Sequence, residues 1–311
     1  MPSIPASDMG DGLERETSSR LTGGWREDLG PRIREFRYSL HLLKQSPLAI
    51  AGLAIFTSVV LVAALAPWIA PYGPTERIWE ARFLPPSWEH PFGTDNMGGD
   101  IFSRIIWAAQ LDLKIMFVVV LTSAAIGCLL GAISGFAGGK VDEILMRVTD
   151  VFLAFPPLIL AMAVAAALGR SMDNLMIALI IVWWPWYARL IRGQVLVERE
   201  RPYVEAARAI GAAKSRIIFR HVLPNSIYPI IVEMTLDLGS VLLTAAGLSF
   251  IGFGAQPGIA EWGSMIAEGR NFMLNSPWLV FFPGLAILFT ALSLNAFGDG
   301  LRDILDPRLR R

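Results

Sequence analysis

Glu205, Arg208, Lys214, Arg216 and Arg220 all lie in one polar stretch, Tyr203–Asn225, which reads YVEAARAIGAAKSRIIFRHVLPN. A carboxylate followed by a row of cations suits ion pairing with another protein or with anionic lipid headgroups. Glu233 and Asp237 are a second candidate pair, four residues apart and therefore on one helix face. They sit in an apolar run, where a carboxylate near the bilayer centre costs about 2.5–3.5 kcal/mol on insertion scales. Both should therefore face a protein interior or a wet cavity. There they either line a path and meet a cationic amine, or pair structurally near the inner end. Trp183, Trp184, Trp186 and Tyr187 surround Pro185. They read as an aromatic belt with a kink, and the alternative is a stacking surface that includes Trp184 and Trp186.

Bond-making chemistry lacks its parts. Cys128 is the one cysteine; it lies in an apolar run and reads as a small hydrophobe. His41, His90 and His221 are far apart, so no metal cluster is expected. Gly139-Lys140 is followed by Val141 and lacks the upstream glycine of a phosphate-binding loop. No nucleophile–base constellation marks the end of an apolar run. Lys plus Arg and Asp plus Glu each number 27, which gives no electrostatic case for nucleic acid. The expectation is a chain with no catalytic residue, no metal and no cofactor of its own.

The elements that must position these groups are membrane helices. The chain is 54% hydrophobic and 17% charged, against about 25% charged for a soluble domain. Apolar residues fall in blocks near the roughly 20 residues that cross a bilayer. An all-α protein with six spans is predicted: Leu48–Ala66, Ile115–Phe136, Val151–Leu168, Leu175–Ile191, Ile227–Phe250 and Trp278–Phe297. With Arg189, at the inner end of the fourth span, counted with the loop that follows, alternate connecting segments, the two termini among them, hold 21 of the 27 Lys and Arg residues. By the positive-inside rule both termini and Tyr203–Asn225 are cytoplasmic. The predicted organisation is a cytoplasmic tail over 1–46, a first span over 47–67, an extracytoplasmic loop over 68–110, a core domain over 111–300 and a cytoplasmic tail over 301–311. Within the core, 199–225 is an inner loop. The first 30 residues are polar and lack the apolar stretch of a signal peptide, so the tail reads as weakly ordered.

Within the inner loop, Val204–Ile210 favours helix, Gly211 permits a turn, and Ala212–Val222 allows a second helix. Pro224 should end that helix and restrict Leu223. Glu205 falls in a first helical turn, where the helix dipole favours a carboxylate. Ala206 and Ala207 present little side chain, so another protein can approach closely. An amphipathic helix resting on anionic lipid is the alternative, and it accounts for the arginines alone. Elsewhere, Gly127, Gly131 and Gly135 form a small-residue ridge for close helix packing. Arg147 and Asp150 are expected to pair, and Arg189 and Arg192 to anchor the inner end of the fourth span. Phe92, Trp107 and Trp262 on the outer loops either dock a partner or pack on the spans.

Glu205-Ala206-Ala207, Gly211 and Leu223-Pro224 match the "EAA" loop of ABC importer permeases, although His221 stands where the general pattern has Ile. HPFGTDNMGGDIFSR (His90–Arg104), GLSFIGFG (Gly247–Gly254) and GDGLRDILDPR (Gly298–Arg308) resemble the C-type permease subunits of dipeptide, oligopeptide and nickel importers. Gly99 stands where that branch usually has Arg. The resemblance implies a type I ABC importer fold in the bacterial inner membrane. It implies a second homologous permease subunit, two ATPase subunits that hold ATP and Mg2+, an extracytoplasmic binding protein and surrounding lipid. It also implies that Glu205, Ala206, Ala207, Arg208, Gly211, His221, Leu223 and Pro224 couple to the ATPase. Relatives of this type carry peptides, glutathione, nickel chelates, opines and some sugars. The rival reading is an ion-coupled secondary transporter, which would show Gly/Pro-broken helices in matched halves; no clear repeat is visible.

Overall fold

A computed structural model describes residues 46–256 and 258–305. The predicted tail therefore lies outside the described residues except for Ser46, as does the C-terminal segment beyond Leu305. Regular structure among the described residues is helical.

Helix α1 (Pro47–Ala64) starts at Ser46, whose hydroxyl accepts the Ala49 N–H at 3.4 Å. Pro47 occupies the first turn, where its missing N–H costs nothing. Helix α2 (Ile101–Ala137) begins well before the predicted span because Asp100 caps it, accepting the Ser103 N–H at 2.7 Å. Its 37 residues run to about 55 Å, so the first turns stand above a hydrocarbon core of about 30 Å.

The predicted third span is not one helix. Helix α3 (Gly139–Leu153) and helix α4 (Pro157–Leu168) are bent 90° apart. Pro156 and Pro157 cannot donate, and each ring disfavours helical backbone at the residue before it. Among the described residues five helices are each long and apolar enough to cross a membrane, and the count is six if the bent pair is taken as one span. Helix α5 (Met172–Glu198) is capped by Ser171, runs unbroken through Pro185, and outlasts the predicted 175–191.

The glycine ridge is where α2 and α5 meet. A Cβ at Gly127 would strike the Trp184 carbonyl and Tyr187, one at Gly131 the Ala188 carbonyl, and one at Gly135 the Arg192 carbonyl. The inner ends are pinned by charge. Arg192 donates from Nε and Nη2 to the two Asp142 oxygens, each at 2.6 Å, and Arg189 reaches Asp150 at 2.6 Å. Arg147 does not pair with Asp150. It bonds Glu143 at 3.1 Å on the exposed side of α3, while Asp150 faces α5. Arg189 and Arg192 are thus clamps on α3 rather than simple anchors. Arg192→Ala removes a bidentate pair worth about 1.5–3 kcal/mol per charged hydrogen bond at most. Faster tryptic cleavage at Lys140 and Arg147 is expected in that variant, with spans otherwise intact.

Helix α6 (Pro202–Ala209) belongs to the inner loop. Helix α7 (Tyr228–Ile251) ends at Gly252 in a left-handed conformation, φ 102°. Helix α8 (Trp262–Gly269) is short and outer, and α9 (Trp278–Leu305) closes the chain. The α1 helix buries only Ala49, Gly52 and Ala63, with Gly52 against the α9 backbone at Ser293 and Phe297. Leu48, Ile50, Ile55, Val60 and Leu61 of α1, like Leu121 and Ile133 of α2, Ile159 of α4 and Leu243 of α7, are exposed and apolar, as lipid contact requires.

The His90–Arg104 segment folds into a knot on the outer side. His90 Nδ1 meets Asp100 at 2.9 Å, and Asp95 accepts from Arg104, which also reaches Glu268 of α8 at 3.0 Å. Gly99 donates its N–H to Asp95 at 2.8 Å, and a Cβ there would press on the Asp95 carboxylate. The three aromatic residues weighed for docking all take part in packing on this side. Phe92 stacks on Phe282 with centroids 4.0 Å apart, and the Trp107 indole donates to the Tyr72 carbonyl at 3.1 Å. Trp262 is 2% exposed and its indole donates to the Ile105 carbonyl at 3.1 Å. Trp88 and Leu274 are the large apolar side chains most exposed on this side.

Candidate functional site

The inner loop begins after Arg199 closes α5; Arg201 then stands at the N-cap of α6 and Pro202 opens it. Val204 and Ala207 point into the molecule, at 0% and 7% exposure, and the opposite face carries exposed Glu205, Ala206 and Arg208. Of the two alanines only Ala206 is therefore open to an approaching surface. The Arg208 guanidinium lies over the Phe136 ring at 5.4 Å, which rests the loop on the inner end of α2.

The turn comes at Gly211, with φ 77° and open space where a Cβ would be. Its residue type is needed for the backbone, not for room. A helical turn follows at Lys214–Ile217, then a π-helical stretch at Ile218–Val222, then Leu223–Ser226. Pro224 does not end this helix. It sits in the first turn of the last segment, and the wider π turn before it spares the N–H that proline lacks. Ile217, Val222 and Ser226 are buried, whereas Ile210 is 84% and Phe219 54% exposed.

Tyr203 closes the loop on itself. Its hydroxyl donates to Glu198 at 2.7 Å and accepts from Asn225 at 3.3 Å, and Asn225 also donates to the His221 carbonyl at 2.6 Å. The neighbouring Glu198 and burial push the Tyr203 phenol above its ordinary range, chiefly through burial. His221 thus contributes a backbone acceptor to the closure, which is a structural part. Tyr203 and Asn225 were outside the sequence-derived set; only contact between the loop's two ends reveals them.

On α7, Glu233 and Asp237 are half-buried and continue a polar face through exposed Ser240 and half-buried Thr244. The spacing of four, three and four keeps all of them on one side. The aromatic groups beside Asp237 are Trp183 and Tyr187, from α5. Trp184 stands edge-on to Phe152 at 5.4 Å, and Trp186 is half exposed. The structure therefore joins a different half of the aromatic cluster to the carboxylates than spacing alone suggested. No group of three or more metal-type ligands occurs among the described residues.

The described residues thus present membrane-length helices and an inner loop with an exposed charged face. Residues 127–311 match the model of the binding-protein-dependent transport system inner membrane component, and residues 36–86 match the N-terminal TM domain of oligopeptide transport permease C. The chain belongs to the binding-protein-dependent transport system inner membrane component family. It is 48% identical over 267 residues, 86% of this chain and 90% of the relative, to the probable D,D-dipeptide transport system permease protein DdpC of Escherichia coli. It is 43% identical to the dipeptide transport system permease protein DppC of Alkalihalophilus pseudofirmus, over 91% of this chain and 93% of that one. Among solved structures it resembles the inward-facing MetNI methionine ABC transporter, with TM-score 0.53 and 16% identity over 65% of this chain and 96% of that one. That likeness shows the importer permease fold. The chain is a multi-pass inner-membrane permease subunit, and family membership removes the secondary-transporter reading.

Proposed function

We propose that this chain forms half of the translocation path of an importer for peptides or peptide-like solutes and couples that path to ATP hydrolysis through Pro202–Ser226. A second homologous permease subunit completes the path. Two ATPase subunits, with ATP and Mg2+, dock below, and an extracytoplasmic binding protein delivers the solute. The observation that carries this reading is the inner loop: its core side is buried, its ends are closed by Tyr203, and its free side offers Glu205, Ala206, Ile210 and Phe219. Exposed apolar side chains among cations suit a protein groove better than water. The relatives' names supply the peptide class. The polar α7 face from Glu233 to Thr244 would line the path, with Trp183 and Tyr187 beside Asp237, and Glu233 and Asp237 would favour a cationic end of the solute.

Gentle affinity purification from native membranes, with partners counted by mass spectrometry, tests the assembly. Recovery of a second permease-like chain and two ATPase chains is expected. Recovery of this chain alone, or as a homo-oligomer, overturns it.

A further inference from the structure

On the outer side of the molecule two carboxyl groups are buried against one another. Asp112 of α2 and Glu261, the residue that caps α8, are both 0% exposed. Glu261 Oε1 accepts the Gly263 N–H at 2.8 Å and Oε2 accepts the Ser264 N–H at 2.7 Å. Asp112 Oδ2 accepts the Trp262 N–H at 3.2 Å. Asp112 Oδ1 is buried, lacks a hydrogen-bond partner, and belongs to the carboxyl that abuts Glu261.

Among the described residues no cation pairs with either carboxyl; Arg77, which donates to the Gly258 carbonyl at 3.4 Å, faces Asp95 at 3.6 Å. Helix α7 contributes the Ser249 hydroxyl. Helix α8 contributes Ser264, whose hydroxyl donates to the Glu261 carbonyl at 2.8 Å. The α9 sequence from Trp278 to Gly298 contains no acid or base, nor does the segment Gly252–Ala260. On α2 itself, Lys114 is exposed, and Arg104 is taken by Asp95 and Glu268. Each carboxyl therefore has the other as its nearest charge. Asp112 bonds the backbone of the residue next to Glu261, and two such neighbouring buried carboxyls without a cation disfavour double ionisation. Burial by itself pushes Glu261 above the usual carboxylate range.

We propose that Asp112 and Glu261 form a proton-binding site, a carboxylic acid–carboxylate pair that holds one proton at neutral pH and latches α8 onto α2. The bound proton sits between Asp112 Oδ1 and Glu261. Alkaline conditions release it to the outer water, leave two adjoining charges, and loosen α8. This site is independent of which solute the chain carries. The sign is fixed by linkage: the folded chain binds this proton more tightly than the unfolded chain, so stability is greatest in acid and declines as pH rises.

The test uses the full chain purified in detergent, with its partners if they co-purify. Infrared spectra near pH 8 are expected to show a protonated-carboxyl band that is missing from both Asp112→Asn and Glu261→Gln. The unfolding temperature of the wild type should fall from about pH 5 to about pH 9, and Asp112→Asn should flatten that slope, because its amide supplies the donor permanently. Glu261→Gln keeps a capping oxygen and serves if the first variant misfolds. A band unchanged in either folded variant overturns the proposal. So does a wild type with no such band, or one whose stability rises with pH.

Discussion

Glu205→Arg is expected to reach the membrane in normal amount and import at background level. Glu205 is exposed on the free side of α6, so the fold does not depend on it. Locally the new cation opposes the helix N-terminus by about 0.3–1 kcal/mol, too little to melt a loop held by Val204, Ala207 and Tyr203. Across an interface the effect is larger: loss of a desolvated charge pair costs about 2–5 kcal/mol. At 1.4 kcal/mol per factor of ten, uptake falls roughly 30-fold or more. The measurement is uptake of a labelled dipeptide in cells carrying the complete gene set, with the membrane level of the chain measured in parallel. Glu205→Gln should lie in between. Undiminished uptake by the arginine variant would sink the coupling role.

Gly131→Leu is expected to abolish folded protein. The added Cβ alone would enter the space of the Ala188 carbonyl and the Ile191 side chain. A carbonyl in a helix cannot move aside as a rotamer does, so α2 and α5 must separate. Overpacking costs about 1–3 kcal/mol where side chains yield and more where backbone must shift. These two helices form the centre of the bundle, through Val119, Val120, Leu179 and Tyr187. Their separation exposes that core as well. Size-exclusion chromatography of a fluorescently tagged chain should show loss of the monodisperse peak. Gly193→Ala is the control: Gly193 is exposed on α5 and has open space where its Cβ would go. That change should be silent or stabilise by about 0.5–1 kcal/mol. Normal folding of the Gly131 variant would mean that the ridge is not a contact.

Much of the architecture was legible in the sequence because bilayer-length apolar runs and small-residue spacing have one physical reading each. The glycine ridge fell where expected, since only backbone-to-backbone approach needs three glycines four residues apart. The third span failed for a local reason: mean hydropathy across 151–168 hides the break that Pro156 and Pro157 impose. The inner loop was legible as helix, glycine turn and helix. The continuation through Pro224 was not, because a π turn has no composition signature. Ion pairs such as Arg192–Asp142 and the partners of Asp237 join residues distant in sequence. Spacing along one helix cannot report them, which is why Arg147 was assigned the wrong carboxylate.

The junction between inner loop and α7 has a mechanical consequence. A single residue, Ile227, with φ −83° and ψ −19°, separates the helical segment Leu223–Ser226 from Tyr228. Its backbone is itself close to helical, so there is no slack strand to absorb displacement. Tyr203 ties the other end of the loop back to Glu198 and Asn225. Such a linkage behaves as a crank with one stiff elbow. If the loop couples as proposed, a push delivered at Glu205 would pass through the Gly211 turn and become torque about Ile227, and the polar face of α7 would turn with it. Two glycines inserted after Ile227 would act as a clutch: the loop could still be gripped and moved while the helix above it stayed still.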